Sequence, residues 1–174
     1  MKNVEKAGRI HLKSLIKNLK DGNYVIPDFQ RDFEWKPWDV QELIRSIFMD
    51  YYIGTLLLWK GNDKNYDSLS CEPVYGFEGK NPDPRMIVLD GQQRLTAMHY
   101  AFFGPSANFP SRKNKLVYRI NIRHLLEEDY DNFIDYEFVT SKKLEKRLKD
   151  SDEQYKTHSF PLEILQDTWA IDDW

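Results

Sequence analysis

Cysteine is almost missing from this chain of 174 residues. Cys71 stands alone, so neither an internal disulfide nor a cysteine-based zinc cluster can form within it. A reducing cytoplasm is the simplest compartment for such a chain. Long apolar runs are missing as well: the longest, Tyr51 to Trp59, falls far short of the roughly 20 residues that cross a bilayer. The first residues lack a signal-peptide core, because Lys6, Arg9, Lys13 and Lys17 interrupt their apolar positions every three to four residues. No membrane partner is expected. There is no excess of positive charge either. Lys and Arg number 25 against 28 Asp and Glu, a net charge of −3, so no global cationic field gathers nucleic acid or an anionic surface. Any anion site must be local. Glycine and proline, at 8 each, are too few for a collagenous or low-complexity chain.

Aromatic residues fill much of the remainder, with 5 Trp, 10 Tyr and 10 Phe. They supply large buried areas and argue for an ordered globule. A chain of this length buries roughly 70% of its unfolded surface, enough for one core without a disulfide or metal. We read residues 1–174 as a single domain. Charge is uneven: residues 1–20 carry six bases against Glu5, while residues 161–174 carry Glu163, Asp167, Asp172 and Asp173 and no base. That asymmetry either orients a partner or is simply solvated.

Leu12, Leu15, Ile16 and Leu19 recur at helical spacing before Asp21-Gly22-Asn23, which predicts a helix over 8–20. Tyr24 to Ile26 reads as a short extended segment, and 28–35 as an ordered loop. Pro37 followed by Val40, Leu43, Ile44, Ile47 and Phe48 predicts a helix over 38–50. Strands are expected at 55–59, 75–77, 86–89, 116–122 and 133–139, with a polar loop from Lys60 to Asp67. A helix follows Asp90-Gly91, with Leu95, Met98, His99 and Phe102 on one face, His99 half-buried, and Gly104-Pro105 as its stop. A charged helix is expected over 141–149. The fold class is therefore α+β, with a small mixed sheet and packed helices.

Two segments carry chemistry. Asp90-Gly91-Gln92-Gln93-Arg94-Leu95-Thr96-Ala97 sets a strand end, a glycine turn and a helix start in succession. Free N–H groups there attract anions, the glycine lets a phosphate approach the backbone, and Arg94 can clamp it. The same residues also read as a well-made helix start, with Asp90 as N-cap and Gln93 completing a capping box. Ile26-Pro27-Asp28-Phe29-Gln30-Arg31-Asp32-Phe33-Glu34-Trp35 can stack a base and meet phosphate through Arg31, or its aromatics can pin a loop to the core. Two Gln-Arg pairs, Gln30-Arg31 and Gln93-Arg94, favour one shared polar pocket.

These two motifs, with Ile-Gly-Thr-Leu-Leu-Leu-Trp at 53–59 between them, resemble the N-terminal domain of GmrSD-type modification-dependent restriction endonucleases. The likeness is specific over 24–101 and loose beyond. It implies a ParB/sulfiredoxin-like fold, in which a Gly-x-x-Arg turn at a helix start binds phosphate. It also implies nucleoside triphosphate binding and hydrolysis at Asp90, Gly91, Gln92, Gln93 and Arg94, with Gln30 and Arg31 lining the same site. Family members carry a His-Asn-His-type nuclease domain C-terminally, whereas His11, His99, His124 and His158 are scattered here. The chain thus reads as the nucleotide-handling domain alone, with DNA and a nuclease domain as partners of the complete system.

On this reading Arg94 and Arg31 hold phosphate oxygens, the N–H groups near Gly91 and Gln92 cradle them, and Gln93 or Gln92 orients a water. Asp90 holds Mg²⁺ or the water, while Trp35 and Thr96 complete the nucleotide pocket. Phosphoryl transfer demands chiefly positioning and charge stabilisation, so this set suffices with a divalent metal. A ParB-like DNA-binding or protein-interaction module without hydrolytic activity is the alternative.

Overall fold

The computed structural model describes residues 8–110 and 112–166. The acidic Asp167, Asp172 and Asp173 and the basic Lys2 and Lys6 lie outside those residues, so the expected end-to-end charge asymmetry is not addressed there. Seven helices and seven strands are described: α1 (Leu12–Lys20), β1 (Tyr24–Ile26), α2 (Pro37–Phe48), β2 (Leu57–Lys60), α3 (Asp63–Ser68), β3 (Glu72–Pro73), β4 (Met86–Asp90), α4 (Gln92–Phe103), β5 (Lys115–Asn121), α5 (Ile122–Leu126), β6 (Ile134–Val139), α6 (Lys142–Leu148), α7 (Ser151–Lys156) and β7 (Ser159–Pro161). A 3-10 turn, Leu162–Gln166, follows. None of these helices is long and apolar enough to cross a membrane.

The α+β class holds, but the strands form two sheets rather than one. The first is mixed, in the order β2-β4-β1-β3, and the second is β6-β5-β7. In the first, β4 lies parallel to β1 (Val25 opposite Ile87) and antiparallel to β2. The second is antiparallel throughout, with Tyr118 opposite Tyr136 and Ile120 opposite Phe160.

The first helix starts at Leu12, after His11 as its extended N-cap, rather than at residue 8, and three other local expectations fail for identifiable reasons. The polar stretch 60–67 contains α3, because Asn62 caps it by accepting from the Asn65 N–H and Asn65 caps in return, a reciprocal start that needs no apolar stripe. The second strand falls at Glu72–Pro73 rather than 75–77, where Gly76 takes φ 81° and turns the chain. And α4 is not amphipathic. Leu95, Ala97, Met98, Tyr100, Ala101 and Phe102 are all at most 2% exposed, so every face of the helix is buried beyond its first turn.

That burial follows from its surroundings. α4 packs against α1, α2, β5 and the 3-10 turn, and after Arg94 it carries no Asp, Glu, Lys or Arg. His99 is buried at 3% exposure rather than half-exposed, and it stacks on Phe103. Desolvation lowers its pKa to about 4, against an opposing backbone hydrogen bond with Tyr75 and the nearby Glu78 charge. Tyrosine hydroxyls tie the layers together. Tyr118 Oη donates to Pro37 O at 3.1 Å, joining the second sheet to α2. Tyr100 Oη donates to Ala107 O and accepts from the Leu116 N–H.

Candidate functional site

The site forms where β4 passes into α4. Gly91 occupies the N-cap position at φ 98°, a left-handed conformation that glycine adopts without steric penalty, and no side chain caps the helix. The first intrahelical bond runs from Leu95 N–H to Gly91 O at 3.0 Å, so the N–H groups of Gln92, Gln93 and Arg94 have no intrahelical acceptor. The capping box expected from Asp90 and Gln93 does not form. The glycine turn displaces Asp90 from the cap position, and its Oδ2 accepts from Arg94 Nη2 at 3.2 Å instead.

Gln93 turns away to the loop that follows β1. It is 8% exposed; its Oε1 accepts from the Glu34 N–H at 2.9 Å and its Nε2 donates to Asp32 O at 2.9 Å. Gln30 makes the opposite connection. Its Nε2 donates to Leu89 O at 3.0 Å and to Val88 O at 3.5 Å, beyond the last β4 residue that β1 pairs. Pro27 ends β1 there, and the Gln30 amide serves carbonyls that a longer strand would have covered. Each glutamine of the two Gln-Arg pairs thus bonds the backbone of the other segment, and the loop 28–35 is fastened to the β4–α4 junction.

The arginines differ. Arg94 has only 17% of its side chain exposed, and Nη1 donates to Ile53 O at 3.0 Å while Nη2 meets Asp90. Its guanidinium is the nearest group to a Cβ built on Gly54 and lies within contact range of one built on Gly91, and both glycines have positive φ. The planar group therefore fits a slot that side chains at either position would narrow. A bulge in the β2–β4 pairing between Leu57 and Leu58 sits beside it, a device common next to functional sites. Arg31 is exposed and paired with Glu34 at 3.1 Å.

Arg94 faces a groove of about 480 Å³ lined by Trp35, Asp39, Glu42, Leu43, Ser46 and Ile53. The structure thus brings Arg94 and Trp35 to one groove, with Asp90 bonded to Arg94. Gln92 is half-exposed and Gly91 buried. Thr96 is enclosed at 2% exposure. Ile53 and Gly54 entered the sequence reading only through the family likeness at 53–59, with no role at the site, and the α2 wall was missed; Asp39, Glu42 and Ser46 recur at three- and four-residue spacing and share a helix face, a signal that was available. Asp39 also serves α2 itself, its carboxylate accepting from the Lys36 N–H at 2.7 Å.

Among the described residues, no three His, Cys, Asp or Glu side chains gather as a metal site. Asp90, 66% exposed, is one carboxylate at the mouth of the slot. Mg²⁺ is typically held by one or two carboxylates with substrate phosphates and water completing the shell, so this donor fits the ion only together with a phosphate-bearing ligand.

An uncharacterized protein of Methanocaldococcus jannaschii is 38% identical over 131 residues, 71% of this chain and 22% of that protein. The aligned stretch thus spans about a fifth of the relative's length. The family model for the N-terminal domain of GmrSD restriction endonucleases matches residues 12–170, a range that contains every element from α1 to the 3-10 turn. This chain belongs to the GmrSD restriction endonuclease N-terminal domain family.

Proposed function

We propose that the chain binds a nucleoside triphosphate at the β4–α4 junction and hydrolyses it, serving a restriction system that acts on DNA through a nuclease domain elsewhere. The observation that carries this is the seating of Arg94: a guanidinium held by Ile53 O and Asp90 between two left-handed glycines, beside an uncapped helix start. A guanidinium has five N–H donors. Those not engaged by Ile53 and Asp90 are left for phosphate oxygens, with the N–H groups of Gln92 and Gln93. The Gly91 to Arg94 turn is the counterpart of the phosphate-binding turn of ParB/sulfiredoxin-like proteins, and kinship with that fold is part of the proposal.

The acidic wall of Asp39 and Glu42 disfavours phosphate, so the nucleoside lies along α2 toward Trp35, which offers a face for stacking. Hydrolysis adds water across the terminal phosphoanhydride and releases diphosphate nucleotide, inorganic phosphate and a proton. Gln92, half-exposed at the helix start, orients the water, and the Asp90 carboxylate accepts its hydrogen bond. Gln93, with both ends of its amide engaged, acts by positioning the loop that carries Arg31. Mg²⁺, when bound with the nucleotide, supplies charge neutralisation on the phosphates.

A thermal-shift screen of ATP, GTP, CTP and UTP, each with and without Mg²⁺, tests ligand class and metal need together. Saturation at about 100 times Kd raises stability by about 2.7 kcal/mol, an easily read shift in Tm. No shift with any nucleotide would leave the domain as an interaction module.

A further inference from the structure

Bases segregate at the far end of α4 from the nucleotide groove. Along residues 140–149 the chain places Lys142, Lys143, Lys146, Arg147 and Lys149 against Glu145 alone, and Arg112, Lys113 and Lys115 follow one another with no acid between them. In a chain of net charge −3 this is a local inversion of sign. The two segments meet at a polar hollow of about 390 Å³ whose lining includes Lys113, Lys115, Lys142, Asn108, Asn114 and Ser141, with the carboxylate of Glu145 beside them.

The hollow is held firmly. Tyr75 Oη donates to Asn108 O at 2.8 Å and Tyr100 Oη to Ala107 O at 3.0 Å, while the Phe109 N–H donates to Asn114 O at 3.0 Å and closes the loop. Glu145 is already shared by Lys115 and Lys149 at 3.7 and 3.3 Å, and Arg147 reaches Glu137 at 3.5 Å. Lys113, Lys142, Lys143 and Lys146 are exposed, with no acidic partner among the described residues. Exposed lysines on both segments, with amide and hydroxyl donors between them, form an extended array that complements the regularly spaced charges of a nucleic-acid backbone.

We propose that this surface, α6 with the 106–115 loop, seats the phosphate backbone of duplex DNA. The contact is sequence-independent: lysines meet phosphates as point charges, and Asn108, Asn114 and Ser141 add hydrogen bonds. It stands independently of the nucleotide groove, from which α4 separates it by about 18 Å, the length of a twelve-residue helix.

The test is fluorescence anisotropy of a labelled duplex of about 20 base pairs against the whole chain over a series of salt concentrations, without nucleotide. Each lost phosphate contact flattens the dependence of log affinity on log salt by about 0.9. The variant Lys113→Gln with Lys142→Gln and Lys146→Gln should therefore lose about 2 to 3 from that slope and at least about tenfold in affinity at 0.1 M salt. Lys64→Gln with Lys80→Gln, equally exposed bases elsewhere, should leave both unchanged. All of these positions are on the surface, so Tm should match the parent. Equal DNA binding by the triple variant, no DNA binding by the parent, or tighter binding of polyglutamate than of duplex at this surface would each overturn the proposal. Failure of nucleotide binding would leave it standing.

Discussion

Arg94 is held in place by the protein itself, through Ile53 O and Asp90, so little of its side-chain freedom remains to be lost on binding an anion. Arg94→Ala should fold and lose roughly 10- to 150-fold in nucleotide affinity, the worth of a charged hydrogen bond; calorimetry with the parent as reference measures it. Asp90 has a separable role. Because Gly91, not Asp90, is the N-cap, Asp90→Ser removes only a partly exposed ion pair worth at most about 1 kcal/mol. Near-parental melting is expected, with hydrolysis slower by at least about 100-fold, because the carboxylate accepts the hydrogen bond of the water that Gln92 orients. Hydrolysis at the parent rate would assign Asp90 to Arg94 alone. The residues of this site were visible in the sequence, but their occupations were only partly so. Spacing put Asp90 and Gln93 in a capping box, whereas the positive φ of Gly91 moves the cap by one residue and frees Gln93 for the loop. A residue string carries no φ.

The loop 28–35 is the element that makes the site, and it has no regular hydrogen bonding of its own. Buried Phe33 packs edge-on against Phe109, and the amides of Gln30 and Gln93 fasten its two ends to β4 and α4. Gln93→Ala should lower stability by about 1 to 2 kcal/mol, from two lost hydrogen bonds. Limited proteolysis should then cut within 28–35 before the rest of the chain, and nucleotide affinity should fall although the guanidinium of Arg94 is untouched. Parental protease resistance would refute the fastening role. Helices with an apolar stripe, α1 and α2, were legible within a few residues, since one face of each meets the core. The fully buried α4 was legible as a helix but not in its surroundings, and α5, α7 and β7 are too short to display a period at all.

At the scale of the molecule, a buried histidine gives the core a pH signature in the acid range. His99 titrates at about 4 in the fold against about 6.5 unfolded, so the unfolded chain binds the extra proton between those values. Stability therefore falls as pH drops from 6.5 toward 4, by up to about 1.4 kcal/mol per unit. His99→Phe, which keeps a ring against Phe103, should flatten melting temperature against pH in that window; an unchanged acid slope would place the sensitivity elsewhere. The division of strands into two sheets was not readable, because pairing partners such as β5 and β7 are set by long-range packing rather than by either strand's pattern. The central claim remains that a nucleoside triphosphate is bound at the β4–α4 junction. Its most direct measurement is calorimetric titration of the four nucleotides into the parent and into Arg94→Ala, both checked for equal melting. Saturable binding of at least one nucleotide to the parent, weakened at least tenfold in Arg94→Ala, is the expected result, and equal affinity in the two proteins, or no binding to the parent, would contradict it.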